Sequence, residues 1–145
     1  MSRETLLILD RKFNTAWTLS TFLIAQGYVA LVVDSYDRAL NDFSEFEISG
    51  VISEYRAGDF SAVELIRKLK TDSPELYVMV LADSVLDEEE YETVMEAGVD
   101  DFFLKPFSVK RILIHLRKGL EHRRVVIDIG QLKMRLQGLQ IGNPG

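Results

Sequence analysis

The chain contains no cysteine. Disulfides, thiolate catalysis and cysteine-bound metals are thereby excluded, and a reducing compartment is permitted but not required by this; the expected location is the cytoplasm. Proline and glycine are sparse, at 3 and 9 residues, and no low-complexity tract or internal repeat is visible. No apolar run approaches membrane-spanning length. Met1-Ser2-Arg3-Glu4 leads straight into a strand pattern, with no signal-peptide cleavage pattern behind it. There are only two histidines, His115 and His122, both on the last expected helix and without neighbours that suggest a metal site. A basic excess is also missing. The formal net charge of -6 and the lack of a helix-turn-helix pattern argue against direct nucleic-acid binding.

What remains is 145 residues with 47% hydrophobic and 28% charged side chains, enough for one domain with a sizeable core. Its centre is Gly50-Val51-Ile52-Ser53-Glu54, a short buried strand that ends in a carboxylate and breaks into a loop containing Gly58. Thr5 to Asp10 is a similar apolar run followed by Arg11, and Asp101 to Leu104 is one followed by Lys105-Pro106. Val29 to Val33 and Tyr77 to Leu81 complete five strands. Helices are expected between them. Asn14 or Thr15 caps the first, Asp34 or Ser35 the second and Ser61 the third. The fourth spans about Asp87 to Ala97, and Ser108 opens a fifth that runs to about His122. Gly27 and Gly98 stand at helix ends. Alternating strands and helices with short connections predict a parallel sheet covered on both faces, with function gathered at the carboxyl ends of the strands.

Residues 1–122 form this unit, and 123–145 are a C-terminal extension. There Val125, Ile127 and Ile129, then Leu132, Met134 and Leu136, alternate with polar residues around Gly130-Gln131. The alternation favours a β-hairpin with a two-residue turn, in which Asp128 lies opposite Lys133. The competing reading is a continued last helix that tolerates Gly130, and a linker or the start of an effector region also fits.

The order of elements resembles the receiver domain of two-component response regulators over about residues 4 to 122. The most specific feature is Lys105-Pro106-Phe107 after Asp101-Phe102-Phe103-Leu104, itself preceded by Glu96-Ala97-Gly98-Val99. The resemblance implies a doubly wound, flavodoxin-like α/β sheet of five parallel strands in the order 2-1-3-4-5. It also implies a phosphoryl-transfer site. In that family a strand-three aspartate is phosphorylated, and two acids after strand one join it in holding magnesium. A Ser or Thr after strand four and the Lys after strand five bind the phosphoryl oxygens. Asp10, Lys105 and the switch aromatic Phe102 match this pattern. Arg11 stands at the second acid, Glu54 at the phosphoacceptor and Leu81 at the Ser or Thr.

These departures agree physically. Magnesium requires hard oxygen ligands, and a permanently charged guanidinium opposes it. Glu54 is one methylene longer than aspartate and reaches toward the place of a phosphoryl group. Leu81 offers no hydroxyl to follow one. Asp10, Arg11, Glu54 and Lys105 can balance their charges without a metal, with Glu54 expected to meet Arg11 or Lys105 directly. Asp10 could also cap the turn that follows it.

The fourth helix is acidic, with Glu88, Glu89, Glu92 and Glu96, and the fifth is basic, with Lys110, Arg111, Arg117 and Lys118. Helix dipoles explain acids at N-termini and bases at C-termini, but not Lys110 and Arg111. Opposite charge on neighbouring helices is self-complementary about a two-fold axis, which predicts a homodimer. The leading expectation is therefore a degenerate receiver: a binding module with no cofactor, metal, enzymatic activity, nucleic-acid contact or membrane contact of its own. Its partners would be a sensor kinase or an effector domain. The alternatives are a magnesium-dependent phosphoryl acceptor at Asp10 or another acid, and a flavodoxin-like FMN protein. The loop Asp10-Arg11-Lys12-Phe13-Asn14 lacks the Ser/Thr/Gly cradle that FMN phosphate would need.

Overall fold

A computed structural model describes residues 3–57 and 60–142. Five strands, β1 (Thr5–Leu9), β2 (Val29–Val33), β3 (Gly50–Glu54), β4 (Tyr77–Ala82) and β5 (Asp101–Leu104), form one sheet in the order β2-β1-β3-β4-β5. Every pairing in it is parallel. The helices are α1 (Phe13–Ala25), α2 (Tyr36–Glu45), α3 (Ala62–Asp72), α4 (Glu88–Glu96) and α5 (Val109–Gly142). This is the expected doubly wound, flavodoxin-like arrangement. A small antiparallel ribbon, Arg56–Ala57 with Phe60–Ser61, follows β3. Gly58 of the expected loop lies outside the described residues.

The apolar runs are continuous because the central strands are covered on both faces. Leu7, Leu9, Val51, Val78 and Val80 point into one layer with Leu65, Ile66, Leu69 and Val94. Leu6, Ile8, Ile52, Met79 and Leu81 point into the other with Leu19, Leu23, Ile112, Leu116 and Leu120. So α2, α3 and α4 cover one face of the sheet, and α1 and the first half of α5 the other.

Most helix starts fall where the side chains predict. Ser35 accepts from the Arg38 amide, Ser61 from the Val63 amide, and Asp87 with Glu90 forms a capping box. The exception is α1, which begins at Phe13 without a side-chain cap, ahead of Asn14 and Thr15. Asp10 accepts from the Lys12 amide at 2.8 Å, and this local turn starts the helix early.

The extension is not a hairpin. Residues 125 to 136 continue α5, a single 34-residue helix about 50 Å long. Nucleating a helix is costly and propagating it is cheap. Ile112, Leu113, Leu116 and Leu120 are buried and fix the first turns, so the extension only has to propagate. Gly130 and Gly138 weaken it by about 1 kcal/mol each, whereas a lone two-stranded hairpin would be marginal in water.

Candidate functional site

Four strand ends converge on one polar cluster. The turn after β1 supplies Asp10, Arg11 and Lys12. Glu54 ends β3, Asp83 follows β4 and Lys105 follows β5. Asp10 and Glu54 are almost fully enclosed, at 4% and 5% exposure. Lys105 Nζ lies 3.1 Å from Asp10 Oδ2, and the other oxygen of Asp10 takes the Lys12 amide. Glu54 Oε1 accepts from the Arg11 amide at 2.9 Å. At the rim, Lys12 Nζ donates to Asp83 Oδ1 at 3.0 Å, and Lys105 Nζ is 3.9 Å from the same oxygen. The cluster therefore holds three acids and three bases.

Burial pushes the Glu54 carboxyl above the usual glutamate range, and the charge of Asp10 adds to this. The hydrogen bond from the Arg11 amide, then Lys105 and the Arg11 charge, oppose it. Asp83 is held below the usual range, first by its hydrogen bond from Lys12, and Lys12 is raised by the same contact. The exposed Lys12–Asp83 pair adds little stability. The enclosed Lys105–Asp10 pair is different, because removing either partner strands a buried charge.

Two expectations for this cluster need correction. Glu54 is met by the backbone of Arg11 and not by its guanidinium. The Arg11 side chain is exposed and forms no hydrogen bond or ion pair among the described residues. Asp10 turns inward, so the next side chain turns outward while its amide faces β3. Lys105 pairs with Asp10 instead of Glu54, its Nζ 3.1 Å from Asp10 Oδ2. Lys12 and Asp83 were missed as members of the cluster. Their one legible signal was position, since both lie just beyond apolar strands.

Leu81 sits beside Glu54 in the sheet register and is buried among apolar neighbours. Phe102 is half-buried and meets the Tyr91 ring edge-on at 6.1 Å. Tyr55, the residue after Glu54, donates its amide to the Leu81 carbonyl and its hydroxyl to Glu90. These contacts join the strand-end cluster to α4.

The donor set does not fit magnesium. Both oxygens of Asp10 and one of Glu54 already accept hydrogen bonds, and Arg11, Lys12 and Lys105 bring positive charge to the same place. Among the described residues, no group of three His, Asp or Glu side chains is arranged to hold a metal ion.

The charged helices divide more finely than the sequence suggested. Glu88, Glu89, Glu92, Glu96, Lys110, Arg111, Arg117 and Lys118 are all exposed. Glu89, Glu92 and Glu96 line a groove of about 680 Å³ shared with Glu64 and Arg67 of α3. Arg117 reaches Gln26 beyond the end of α1 at 3.1 Å. The side chains of Glu88, Lys110, Arg111 and Lys118 form no hydrogen bond or ion pair among the described residues. Of the histidines, His115 is not a lone surface residue. Its Nδ1 lies 3.1 Å from Asp101 Oδ1, and its ring meets Phe103 edge-on.

Comparison with known proteins agrees with this fold. The response regulator receiver domain family matches residues 6–117, more than half of the chain. The DNA-binding response regulator MtrA of Mycolicibacterium smegmatis is 25% identical over 150 residues, covering 96% of this chain and 65% of that protein. The heme response regulator HssR of Staphylococcus saprophyticus is 26% identical over 141 residues, covering 94% of this chain and 62% of that protein. This chain thus spans less than two thirds of the length of these two relatives. The crystal structure of a CheY-like receiver domain protein from Methanospirillum hungatei JF-1 superposes with a TM-score of 0.80 at 17% identity, over 85% of this chain and 98% of that one. The fold is that of a receiver domain. The chain belongs to the response regulator receiver domain family.

Proposed function

We propose that this chain is a receiver that signals through protein contacts, without phosphorylation at the usual strand-three position. The observation that carries this reading is Glu54. It stands at the end of β3, enclosed, with its carboxylate held by the Arg11 amide 2.9 Å away. Its extra methylene places a carboxylate where a modified aspartate would carry its phosphoryl group. Arg11 at the second acid position and Leu81 at the hydroxyl position support the same reading. The partners are a sensor kinase or an effector domain. A second copy of the chain would meet Lys110 and Arg111 through Glu88 of α4. The domain acts as a binding module in the cytoplasm and performs no chemistry of its own. Among the described residues, no helix is long and apolar enough to cross a membrane.

Calorimetry with magnesium and beryllofluoride tests this reading. No heat of binding is expected at millimolar magnesium. Saturable, magnesium-dependent beryllofluoride binding would overturn it.

A further inference from the structure

The second half of α5 leaves the globular domain. Val125, Ile129, Leu132, Leu136 and Leu139 are between 49% and 68% exposed. Their spacing is four, three, four, three, which gathers them into one stripe along the helix. With Ile129 and Leu136 as the a positions and Val125, Leu132 and Leu139 as the d positions, the stripe is a heptad seam. Most of the other residues respect it, with Ile127 and Met134 at the outer f position the exceptions. Gly130 and Gly138, the helix-weakening residues, fall at outer positions. Between Val125 and Leu139 no charge occupies a or d, and the charges Asp128, Lys133 and Arg135 fall at the flanking g and e positions.

We infer that this stripe is the seam of a parallel two-stranded coiled coil between two copies of the chain. A parallel, in-register pair stacks each seam residue on its own counterpart in five apolar layers. It also brings Asp128 at g opposite Lys133 at e of the second chain, twice by symmetry. Ile129 at a with Leu132 at d favours the two-stranded parallel form, a preference that Val125 at d and Leu136 at a do not share. An antiparallel pair that matched Ile129 with Leu132 would set Leu139 against His122 and lose an apolar layer. Followed back along the helix, the same positions reach His122, Lys118 and His115, beside β5, so the seam leaves the domain on the β5 side. None of this depends on how the strand-end site is read.

The full 145-residue chain, which lacks cysteine, allows a direct test. Sedimentation should find a dimer, and Ile129→Glu with Leu136→Glu should raise its dissociation constant by more than about tenfold. Met134→Glu, on the opposite face, should leave it unchanged. Under mild oxidation Leu132→Cys should cross-link to itself and Met134→Cys should not. A chain that stays monomeric at high concentration would overturn the inference. So would equal cross-linking at residues 132 and 134, or cross-linking only when Ile129→Cys and Leu132→Cys chains are mixed. Circular dichroism of each variant checks that the helix is retained; if the charged pair unfolds the helix, the cross-linking pattern decides alone.

Discussion

Arg11 holds Glu54 with its backbone and not with its charge: the Arg11 amide nitrogen lies 2.9 Å from Glu54 Oε1, while the side chain is exposed. The carboxylate is thus oriented by a neutral donor in an enclosed place. The cation that displaces an expected metal-binding acid sits at the rim.

This arrangement fixes the sign of one prediction. Burial raises the folded-state pKa of Glu54 above its usual 4.5, so the ionised carboxylate subtracts stability at neutral pH. As pH falls through the raised folded value, the folded protein takes up the proton first and gains stability, until the unfolded chain is protonated as well. Glu54→Gln keeps a carbonyl for the Arg11 amide and removes the charge. Its melting temperature at pH 7 should equal or exceed that of the wild type, and the margin should shrink toward pH 4. Glu54→Ala strands the amide and should cost about 1–3 kcal/mol. Thermal melts across this pH range check both, and a Glu54→Gln protein less stable than wild type at pH 7 would count against it.

Lys105 and Asp10 form the enclosed ion pair of the cluster. Lys105→Met should cost about 3 kcal/mol, because Asp10 stays buried without its cation. Adding Asp10→Asn should recover part of that loss. Denaturant unfolding of the two single variants and the double variant measures the coupling, and strict additivity would mean that the pair is not coupled.

Gly119 faces Tyr77 so closely that a Cβ added there would run into the ring. Tyr77 is anchored in turn by its hydroxyl, which donates to Asp101. Gly119→Ala should therefore destabilise the domain by about 1–3 kcal/mol through overpacking, although alanine is the better helix former. A stabilised variant in chemical denaturation would show that α5 can shift away from β4.

On the domain's own surface, reversing Lys110 and Arg111 to glutamate should weaken self-association, and salt should weaken it in the wild type. The same reversal should leave cross-linking through Leu132→Cys largely intact, since the seam lies further along α5. Sedimentation at two salt concentrations reads the first effect, and an unchanged dissociation constant would return these charges to the solvated surface.

Much of this was legible in the residues. The central strands read as apolar runs because both faces of the sheet are covered there, and Ser35 and Ser61 announce their helices by capping chemistry. The convergence of Asp10, Glu54 and Lys105 followed from strand order alone. Which atom of Arg11 meets Glu54 did not, because a sequence names side chains and says nothing of where the amides point. The extension failed for another reason. Val125, Ile127 and Ile129 alternate with period two, yet Val125, Ile129, Leu132, Leu136 and Leu139 also follow heptad spacing. Both patterns are present, and the buried start of α5 decides between them.

Reversion tests whether the fold still positions a complete site. Arg11→Asp, Glu54→Asp and Leu81→Thr together should restore magnesium and beryllofluoride binding, because each returns one missing part. A folded triple variant without calorimetric magnesium binding would place the defect elsewhere, with Lys12 and Asp83 the next positions to change.

The most direct measurement is intact mass after incubation with acetyl phosphate and magnesium. Signalling without phosphorylation predicts an unchanged mass for the wild-type chain, with the triple variant gaining one phosphate under the same conditions. A magnesium-dependent gain of one phosphate on the wild type, mapped to Asp10, Glu54 or Asp83, would contradict it.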